Sequence, residues 1–451
     1  MIRYLVGALA LLSLAACAPT DRPAPENVRA VPQAEQAIDA IARDYVRLML
    51  EIGARDPGFI DAYYGPPEWR EDAAVAPRTI EQLAGAVETL DAGLAAIVIA
   101  PEDVDTQRRA RFLRAQINAA RTRLKMLVGE NLSFRTESLG LFGVTPELKP
   151  LSDYDPVLVR IDALVPGTGT LAQRVDSFRS QYVVPADRLG PVMDAAIAEC
   201  RRRTLRHIDL PGEERFELSF VTGKPWSGYN YYQGDYRSKI EINTDLPVHI
   251  DRAVDLGCHE GYPGHHVLNV LLEQHLVRGR GWIEFSVYPL YSPQSFIAEG
   301  SANYGIDLAF PSEQRLAFER DTLYPLAGLD PADAAAYHAL QAALSDLEGA
   351  RFTIAQLYLD GKIDRERAIA LIQAYQLVSP SKARQSVDFF DTYRSYVINY
   401  GLGRDMVRDY VERAGQDPIY RWAAMERLLS NPTLPADLVT GDDPGTAGVD
   451  K

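Results

Sequence analysis

A short segment near the middle of the chain collects three of its seven histidines, and it reads HEGYPGHH from residue 259 to residue 266. Imidazole is the commonest protein ligand for zinc. A His-Glu pair also opens the HExxH helix of zinc peptidases, in which two histidines bind the metal and the glutamate acts as general base. The segment therefore predicts a metal centre with His259 as a ligand and Glu260 as the general base.

The spacing of this segment departs from HExxH. Pro263 stands four residues after His259, and the next histidines, His265 and His266, follow at i+6 and i+7. On a regular helix, i+6 points about 120° away from the first ligand, and i+7 lies about 10 Å along the axis. Proline interrupts a regular helix, and a π-type bulge of two residues would bring His265 to the second ligand position. We therefore expect His265 as the second ligand, with His266 as the alternate ligand or a supporting hydrogen-bond donor.

A zinc site needs at least one further protein ligand. About 40 residues downstream, the stretch FIAEGSANYG places Glu299 in an otherwise uncharged helical segment. A carboxylate buried there requires a metal or a charged partner, because an unpaired buried charge is costly. We predict Glu299 as the third ligand of one Zn²⁺ per chain, although a salt bridge within the helix would also explain it. Asp307, two turns further on, could support a ligand, and the ligand types also admit manganese or cobalt.

The elements that must position these residues are predominantly helical. Apolar residues recur at steps of three and four from residue 38 onward, and helices are expected over 79–97, 103–128 and 186–206 and again from 251 to about 425. Residues 139–170 indicate an irregular connection. Two alternating stretches, 216–220 and 239–243, flank an aromatic loop at 226–232 and predict a small antiparallel sheet. The predicted fold class is mainly α with a small antiparallel β-sheet.

The two ends of the chain differ from its body. Arg3 precedes an apolar run over 5–14 that is too short to span a bilayer and is typical of a signal peptide. The run closes with LAAC, which resembles a bacterial lipobox in which Cys17 is acylated, while an ordinary secretory signal stays an alternative. Ala18 favours the outer membrane. We therefore divide the chain into a leader (1–17), a flexible tether (18–35), a catalytic domain of one or two lobes (36–429) and a disordered tail (430–451).

Charge and motifs exclude several classes of function. The net charge of −15 and a pI near 5.0 argue against nucleic acid as a partner. The sequence lacks a nucleophile elbow, a Walker loop and a dinucleotide-binding fingerprint. Besides Cys17 there are two cysteines, Cys200 and Cys258. They could form a disulfide, but a free, buried thiol at Cys258 is the preferred prediction.

HEGYPGHH followed by AEGSANYG resembles a bacterial family of zinc-metallopeptidase-like proteins of unknown function with HExxPGHH and EGxAxY motifs. The resemblance covers most of residues 36–425, and the segment YGLG at 400–403 is a weaker part of it. In the family the second motif usually reads EGWALYAE, so Ser301 and Ile306 are departures. The resemblance implies a zincin-like metallopeptidase architecture, frequent attachment as a lipoprotein, and a catalytic role for Tyr400 as a donor to the oxyanion.

These observations predict a zinc-dependent hydrolase, a metallopeptidase acting on a peptide or another small amide substrate. We expect it in the bacterial cell envelope, anchored by the lipid on Cys17 in the outer membrane and facing the periplasm. Strand 239–243 could pair with an extended substrate, and Arg384 and Arg394 are weaker candidates for binding a substrate carboxylate. Two alternatives stay open: a catalytically silent zincin-like envelope lipoprotein that binds a ligand, and a zinc amidase or esterase with a non-peptide substrate.

Overall fold

A computed structural model describes residues 33–224 and 226–440 of the chain. The predicted leader with Cys17, residues 18–32 of the predicted tether and residues 441–451 of the predicted tail lie outside this range. The first helix begins at Gln33, so the last three residues of the predicted tether, 33–35, are helical and the tether boundary needs correction.

The described chain is mainly helical, as predicted. Single π turns at Gly257–Gly261, Glu273–Arg278 and Glu319–Leu323 follow three of the helices. The expected helices over 79–97, 103–128 and 186–206 are present within two residues of their predicted bounds. The α-helices are α1 (Gln33–Arg55), α2 (Pro67–Val75), α3 (Ile80–Ala95), α4 (Val104–Leu127), α5 (Phe134–Phe142), α6 (Asp155–Leu164), α7 (Leu171–Arg179), α8 (Ala186–Thr204), α9 (Asp251–Leu256), α10 (His265–Leu272), α11 (Pro293–Ala309), α12 (Ser312–Phe318), α13 (Tyr324–Ala327), α14 (Ala334–Ser345), α15 (Glu348–Leu359), α16 (Arg365–Gln376), α17 (Pro380–Tyr393), α18 (Ile398–Glu412), α19 (Pro418–Ser430) and α20 (Pro435–Thr440).

Two small sheets accompany the helices. The strands are β1 (Ile60–Tyr63), β2 (Arg215–Val221), β3 (Gly228–Gly234), β4 (Arg237–Asn243) and β5 (Val287–Pro289). β1 pairs with β5, and the second sheet has the order β2-β4-β3. Asp235 and Tyr236 both adopt positive φ, near 52° and 57°, and form the two-residue turn that joins β3 to β4.

The prediction of a purely antiparallel sheet is wrong. β2 runs parallel to β4, and β3 runs antiparallel to it. Because the tight turn pairs β3 with one edge of β4, β2 occupies the other edge. Most of the predicted aromatic loop at 226–232 is strand β3. As a consequence β4 lies in the centre of the sheet, and β3 is an edge strand.

Two segments, expected to be irregular (139–170) or disordered (430–451), contain helices in the part of the chain that the structure describes. Within residues 139–170, α6 forms because Pro156 lies in its first turn, where proline is tolerated, and Ile161 is fully buried in a small core shared with α14. Within the predicted tail, residues 430–440 include α20. Thr433 and Leu438 are buried, and Leu438 belongs to the main core, so these residues are ordered by packing.

Helix α11 lies deep in the main hydrophobic core, with most of its residues buried. It crosses α18 at two glycines: a Cβ on Gly300 would lie 2.6 Å from the main-chain carbon of Gly403. This close approach fixes the position of Glu299, the neighbour of Gly300. Among the described helices, none is both long enough and apolar enough to cross a membrane.

Candidate metal centre and active site

The HEGYPGHH segment folds as two helices with a break between them. α9 continues into the π turn that carries His259 and Glu260, and α10 begins at His265. The expected π geometry is present, but the helix ends at Gly261 rather than continuing through a bulge. Between the helices, the Gly264 N–H donates to the carbonyl of Cys258 at 3.0 Å. A Cβ on Gly264 would lie 1.8 Å from the carbonyl oxygen of His259, so this turn requires glycine.

The break brings together the three side chains predicted as ligands. His265 Nε2 lies 3.1 Å from His259 Nε2. Glu299 Oε2 lies 3.3 Å from His259 Nε2, and Glu299 Oε1 lies 3.7 Å from His265 Nε2. One donor atom from each residue falls within 4.8 Å of the other two. The sequence positions 259, 265 and 299 therefore form one cluster.

The chemistry of this cluster fits Zn²⁺. Two imidazole nitrogens and one carboxylate oxygen form the ligand set of many catalytic zinc sites, which keep a fourth position open. Burial lowers the pKa of His265 to about 4, so its ring is neutral near pH 7, as a ligand must be. Glu299 Oε2 is buried without a well-formed hydrogen bond to any described residue. A cation between these atoms would satisfy that oxygen.

A tyrosine that the sequence analysis missed orients Glu299. The Tyr396 hydroxyl donates to Glu299 Oε1 at 2.8 Å. Hydrogen bonds of this kind orient metal ligands. Tyr396 precedes the predicted Tyr400 by one helical turn, which is the one signal that could have found it. Asp307 lines the cavity, but none of the three predicted metal ligands forms a hydrogen bond with it.

The prediction of His266 as an alternate ligand is wrong. His266 is fully buried, its Nε2 lies 3.0 Å from Glu214 Oε2, and its Nδ1 lies 2.8 Å from Ser238 Oγ. Neighbouring residues on a helix point about 100° apart, so His266 faces away from the cluster that His265 joins. Both ring nitrogens of His266 are engaged, and the residue anchors α10 to β4.

Glu260 lies between the metal cluster and the edge strand β3. A Cβ on Gly228 would lie 2.7 Å from Glu260 Oε1, so this glycine makes room for the carboxyl group. The Asn230 amide donates to the main-chain oxygen of Glu260 at 2.7 Å and fixes the π turn against β3. Burial raises the pKa of Glu260 to about 7. Adjacent in sequence to His259, this carboxyl group has the place expected of a general base.

Tyr400 lines the same cavity. Its ring centroid lies 5.9 Å from that of Tyr396, and its hydroxyl has no hydrogen-bond partner among the described residues. Burial and the charge of Glu299 raise the pKa of Tyr400 well above its usual value. The hydroxyl therefore stays protonated and is free to donate a hydrogen bond.

A cavity of about 1280 Å³ opens over the cluster. Its walls include residues of β3 and the missed residues Asp61 and Tyr288 from the small β1–β5 sheet. The Tyr229 hydroxyl donates to Asp61, and burial raises the pKa of Asp61 to about 7. The prediction that strand 239–243 receives a substrate is wrong, because β4 is paired on both edges.

Two further expectations concern residues near the site. Cys200 and Cys258 form a disulfide with a Cα–Cα distance of 5.4 Å, which corrects the predicted free thiol and ties α8 to the π turn. Arg384 is exposed, and Arg394 donates to buried Glu137 at 2.7 Å. Neither arginine lines the cavity.

Comparisons with known proteins give a likeness of fold. No protein-family model matches the sequence, and no curated protein matches it either. The fold is similar to that of a protein assigned as a lipoprotein from Colwellia psychrerythraea, with a TM-score of 0.51 and 15% identity over 80% of this chain and 68% of that chain. This likeness concerns the fold alone.

Two other solved structures are more distant. One is a protein from Shewanella oneidensis assigned as a lipoprotein of unknown function, with a TM-score of 0.46 and 14% identity over 91% of this chain and 79% of that chain. The other is the M32 carboxypeptidase from Deinococcus radiodurans R1, with a TM-score of 0.37 and 12% identity over 91% of this chain and 95% of that chain. Both are too distant to support an argument, so the function must be inferred from the site.

Proposed function

We propose that this protein is a zinc-dependent metallopeptidase. His259, His265 and Glu299 would hold one Zn²⁺, and Glu260 would be the general base. The observation that carries the proposal is the convergence of two imidazole nitrogens and a buried carboxylate, within 4.8 Å of one another, on the wall of a large cavity. Glu260 and Tyr400 line that cavity beside them.

When bound, the zinc ion would act as a Lewis acid. It would polarise the scissile carbonyl and lower the pKa of water toward neutrality. The Glu260 carboxylate takes a proton from the attacking water and delivers it to the leaving amine. The Tyr400 hydroxyl donates a hydrogen bond to the oxyanion that develops on the former carbonyl. Tyr396 keeps Glu299 oriented through its 2.8 Å hydrogen bond.

The substrate would lie along β3. β4 occupies one edge of this strand, and Tyr229, Asn230 and Tyr231 line the cavity. An extended peptide could pair its main chain with the other edge, as in strand addition to a sheet. Such pairing holds the scissile bond next to Glu260, because Gly228 of β3 contacts that carboxyl group.

The direct test is peptide turnover by the zinc-loaded protein and its Glu260→Gln variant, measured on a mixed peptide library by mass spectrometry. We expect the variant to keep its zinc and to lose turnover by roughly 10²- to 10⁴-fold, as for loss of a general base. Glu217→Gln, at an exposed position of β2, is the matched control and should cleave like wild type. Absence of cleavage by the loaded wild type, or equal cleavage by Glu260→Gln, would contradict the proposal.

We also propose that Cys17 carries a lipid anchor that holds the protein in the outer membrane, facing the periplasm. The support is the sequence LAAC at the end of the apolar leader and the alanine that follows it. Expression in a bacterial host should give a membrane-bound protein with an acylated N-terminal cysteine, detected by mass spectrometry after density-gradient separation of the membranes. A wild-type chain that is released like Cys17→Ala would contradict the anchor.

A further inference from the structure

The cationic side chains on the cavity wall fall into two groups. Those of the first group have a carboxylate partner: Arg123 with Asp56 at 2.6 Å, Arg252 with Asp255 at 3.1 Å, Arg315 with Glu319 at 2.7 Å and Arg404 with Glu348 at 3.0 Å. Arg179 at the end of α7, Arg351 of α15 and Lys382 of α17 form the second group. None of the three has a carboxylate of the described residues within ion-pair distance. Asp251 lies near Arg179 but accepts hydrogen bonds from Tyr337 and Gln341. Glu348, on the same helix as Arg351, is paired with Arg404.

Arg351 is held in place by aromatic rings rather than by an acid. Its guanidinium carbon lies 5.2 Å from the ring centroid of Phe389 and 5.8 Å from that of Phe390. Its Nε is buried and has no hydrogen-bond partner among the described residues. Stacking fixes the plane of the guanidinium and leaves donors for a ligand, which is a favourable arrangement for a carboxylate.

Lys382 lies in the same group of positive charges. Its ammonium donates to Gln385 Oε1 at 2.7 Å, which uses one of three donors. Burial and the charges of Arg351, Arg252 and Arg179 lower the pKa of Lys382 to about 8. A half-buried ammonium beside other cations is unfavourable unless an anion lies close to it. A bound anion would therefore be stabilised at this place on the cavity wall.

Arg351 is connected to the metal cluster through a short series of rings. The ring of Phe389, on which Arg351 stacks, lies 6.1 Å from that of Tyr400. Tyr400 in turn lies 5.9 Å from Tyr396, which donates to Glu299. All of these residues line or border one cavity. A ligand bound by Arg351 would therefore lie in the same cavity as the reacting bond.

We infer that Arg351 and Lys382 form an anion subsite that binds a carboxylate of the substrate. This inference rests on the proposed function, and it names the chemical class of substrate that the enzyme selects. The carboxylate can belong to the C-terminus of a peptide or to an acidic side chain, and both offer the same two oxygens to the guanidinium. Arg351 and Lys382 are specificity-determining residues.

The test is calorimetric binding of three peptides to the zinc-loaded Glu260→Gln protein, which should bind without turnover. The peptides are N-acetyl-trialanine with a free carboxylate, its C-terminal amide, and the amide with glutamate in place of the last alanine. The free acid should bind on the order of 10- to 100-fold more tightly than the plain amide, as for a hydrogen-bonded charge pair. The glutamate amide distinguishes the two sources: tight binding of this peptide assigns the subsite to a side chain, and weak binding assigns it to the C-terminus.

Variants in the same background identify the residues. Arg351→Gln and Lys382→Met should each remove most of the preference for the carboxylate, whereas Lys382→Arg should keep it. Arg384→Gln is the matched control, because it is exposed on the same helix as Lys382 and lies outside the cavity wall. Thermal unfolding of each variant checks that it folds.

Equal binding of the three peptides, no binding of any of them, or a preference that survives both Arg351→Gln and Lys382→Met would overturn the inference. The proposed function is tested separately by wild-type turnover. A protein that binds carboxylates through Arg351 but cleaves no peptide would retain the subsite and lose the proposed activity.

Discussion

At the scale of single residues, the proposed metal cluster depends on groups that hold its three side chains in place. Glu299 is buried on α11, and its Oε1 accepts the hydrogen bond of Tyr396. A carboxylate held in this way loses little conformational freedom when it binds a cation. Tyr396 would therefore increase the affinity for the metal without contacting it.

Removal of the Tyr396 hydroxyl should therefore weaken zinc binding. We expect Tyr396→Phe to lower zinc affinity by roughly 10- to 100-fold, measured by competition with a fluorescent chelator. Tyr393→Phe is the control, because Tyr393 lines the same cavity without a hydrogen bond to Glu299. Equal affinities of the two variants would show that the hydroxyl does not orient Glu299.

The sequence identifies some of these residues and not others. His259, Glu260 and Glu299 stand in recognisable local patterns. The choice between His265 and His266 depends on the break at Tyr262–Gly264, whose course is set by tertiary contacts such as the hydrogen bond from the Tyr262 hydroxyl to Glu214. Arg351 and Lys382 come from separate helices and show no local signal, because what distinguishes them is the lack of an ion-paired carboxylate in the folded chain: Glu348, near Arg351, pairs with Arg404 instead.

At the scale of elements, the crossing of α11 and α18 positions both Glu299 and Tyr400. Gly300 of α11 and Gly403 of α18 meet at this crossing, and the main chains approach too closely for a methyl group. The helices must therefore stay in this register for the ligand and the tyrosine to face one cavity.

A methyl group at the crossing should separate the two helices. We expect Gly300→Ala to lower the free energy of unfolding by about 1–3 kcal/mol, as for overpacking of a core, and to weaken zinc binding as well. Gly85→Ala in α3 is the control, since nothing lies within 4 Å of its Cβ position, and it should leave stability equal or slightly higher. A Gly300→Ala protein with wild-type stability and zinc affinity would contradict this role of the crossing.

Local patterns predict elements with one apolar face better than elements set by tertiary context. α3, α4 and α8 were predictable because each has buried residues at helical spacing. The sheet order was not, because it follows from the turn at Asp235 and Tyr236 and from β2 taking the remaining edge of β4. α6 was hidden by Pro156 in its first turn, and α20 by the polar composition of the residues that follow it.

At the scale of the whole molecule, the disulfide between Cys200 and Cys258 joins two distant parts of the main core. The residues are 58 positions apart, and Cys258 immediately precedes the proposed ligand His259. The disulfide therefore reduces the conformational freedom of the unfolded chain. It also ties the metal cluster to α8.

Loss of this bond should reduce stability. We expect the Cys200→Ala, Cys258→Ala double variant to lower the free energy of unfolding by about 4 kcal/mol, from the chain-entropy relation for a loop of this length. Denaturant unfolding with and without reductant measures it, and reductant should affect wild type but leave the double variant unchanged. A wild-type protein insensitive to reductant under denaturing conditions would show that the bond does not form.

The central claim is that His259, His265 and Glu299 hold one zinc ion. It is tested most directly by metal content from plasma mass spectrometry on the purified wild type, His259→Ala and Glu299→Ala after supply of zinc. His275→Ala, at an exposed position outside the cluster, is the control. We predict about one zinc per chain in wild type and in the control, and its loss in both cluster variants. A wild type without metal, or cluster variants that keep it, would contradict the account.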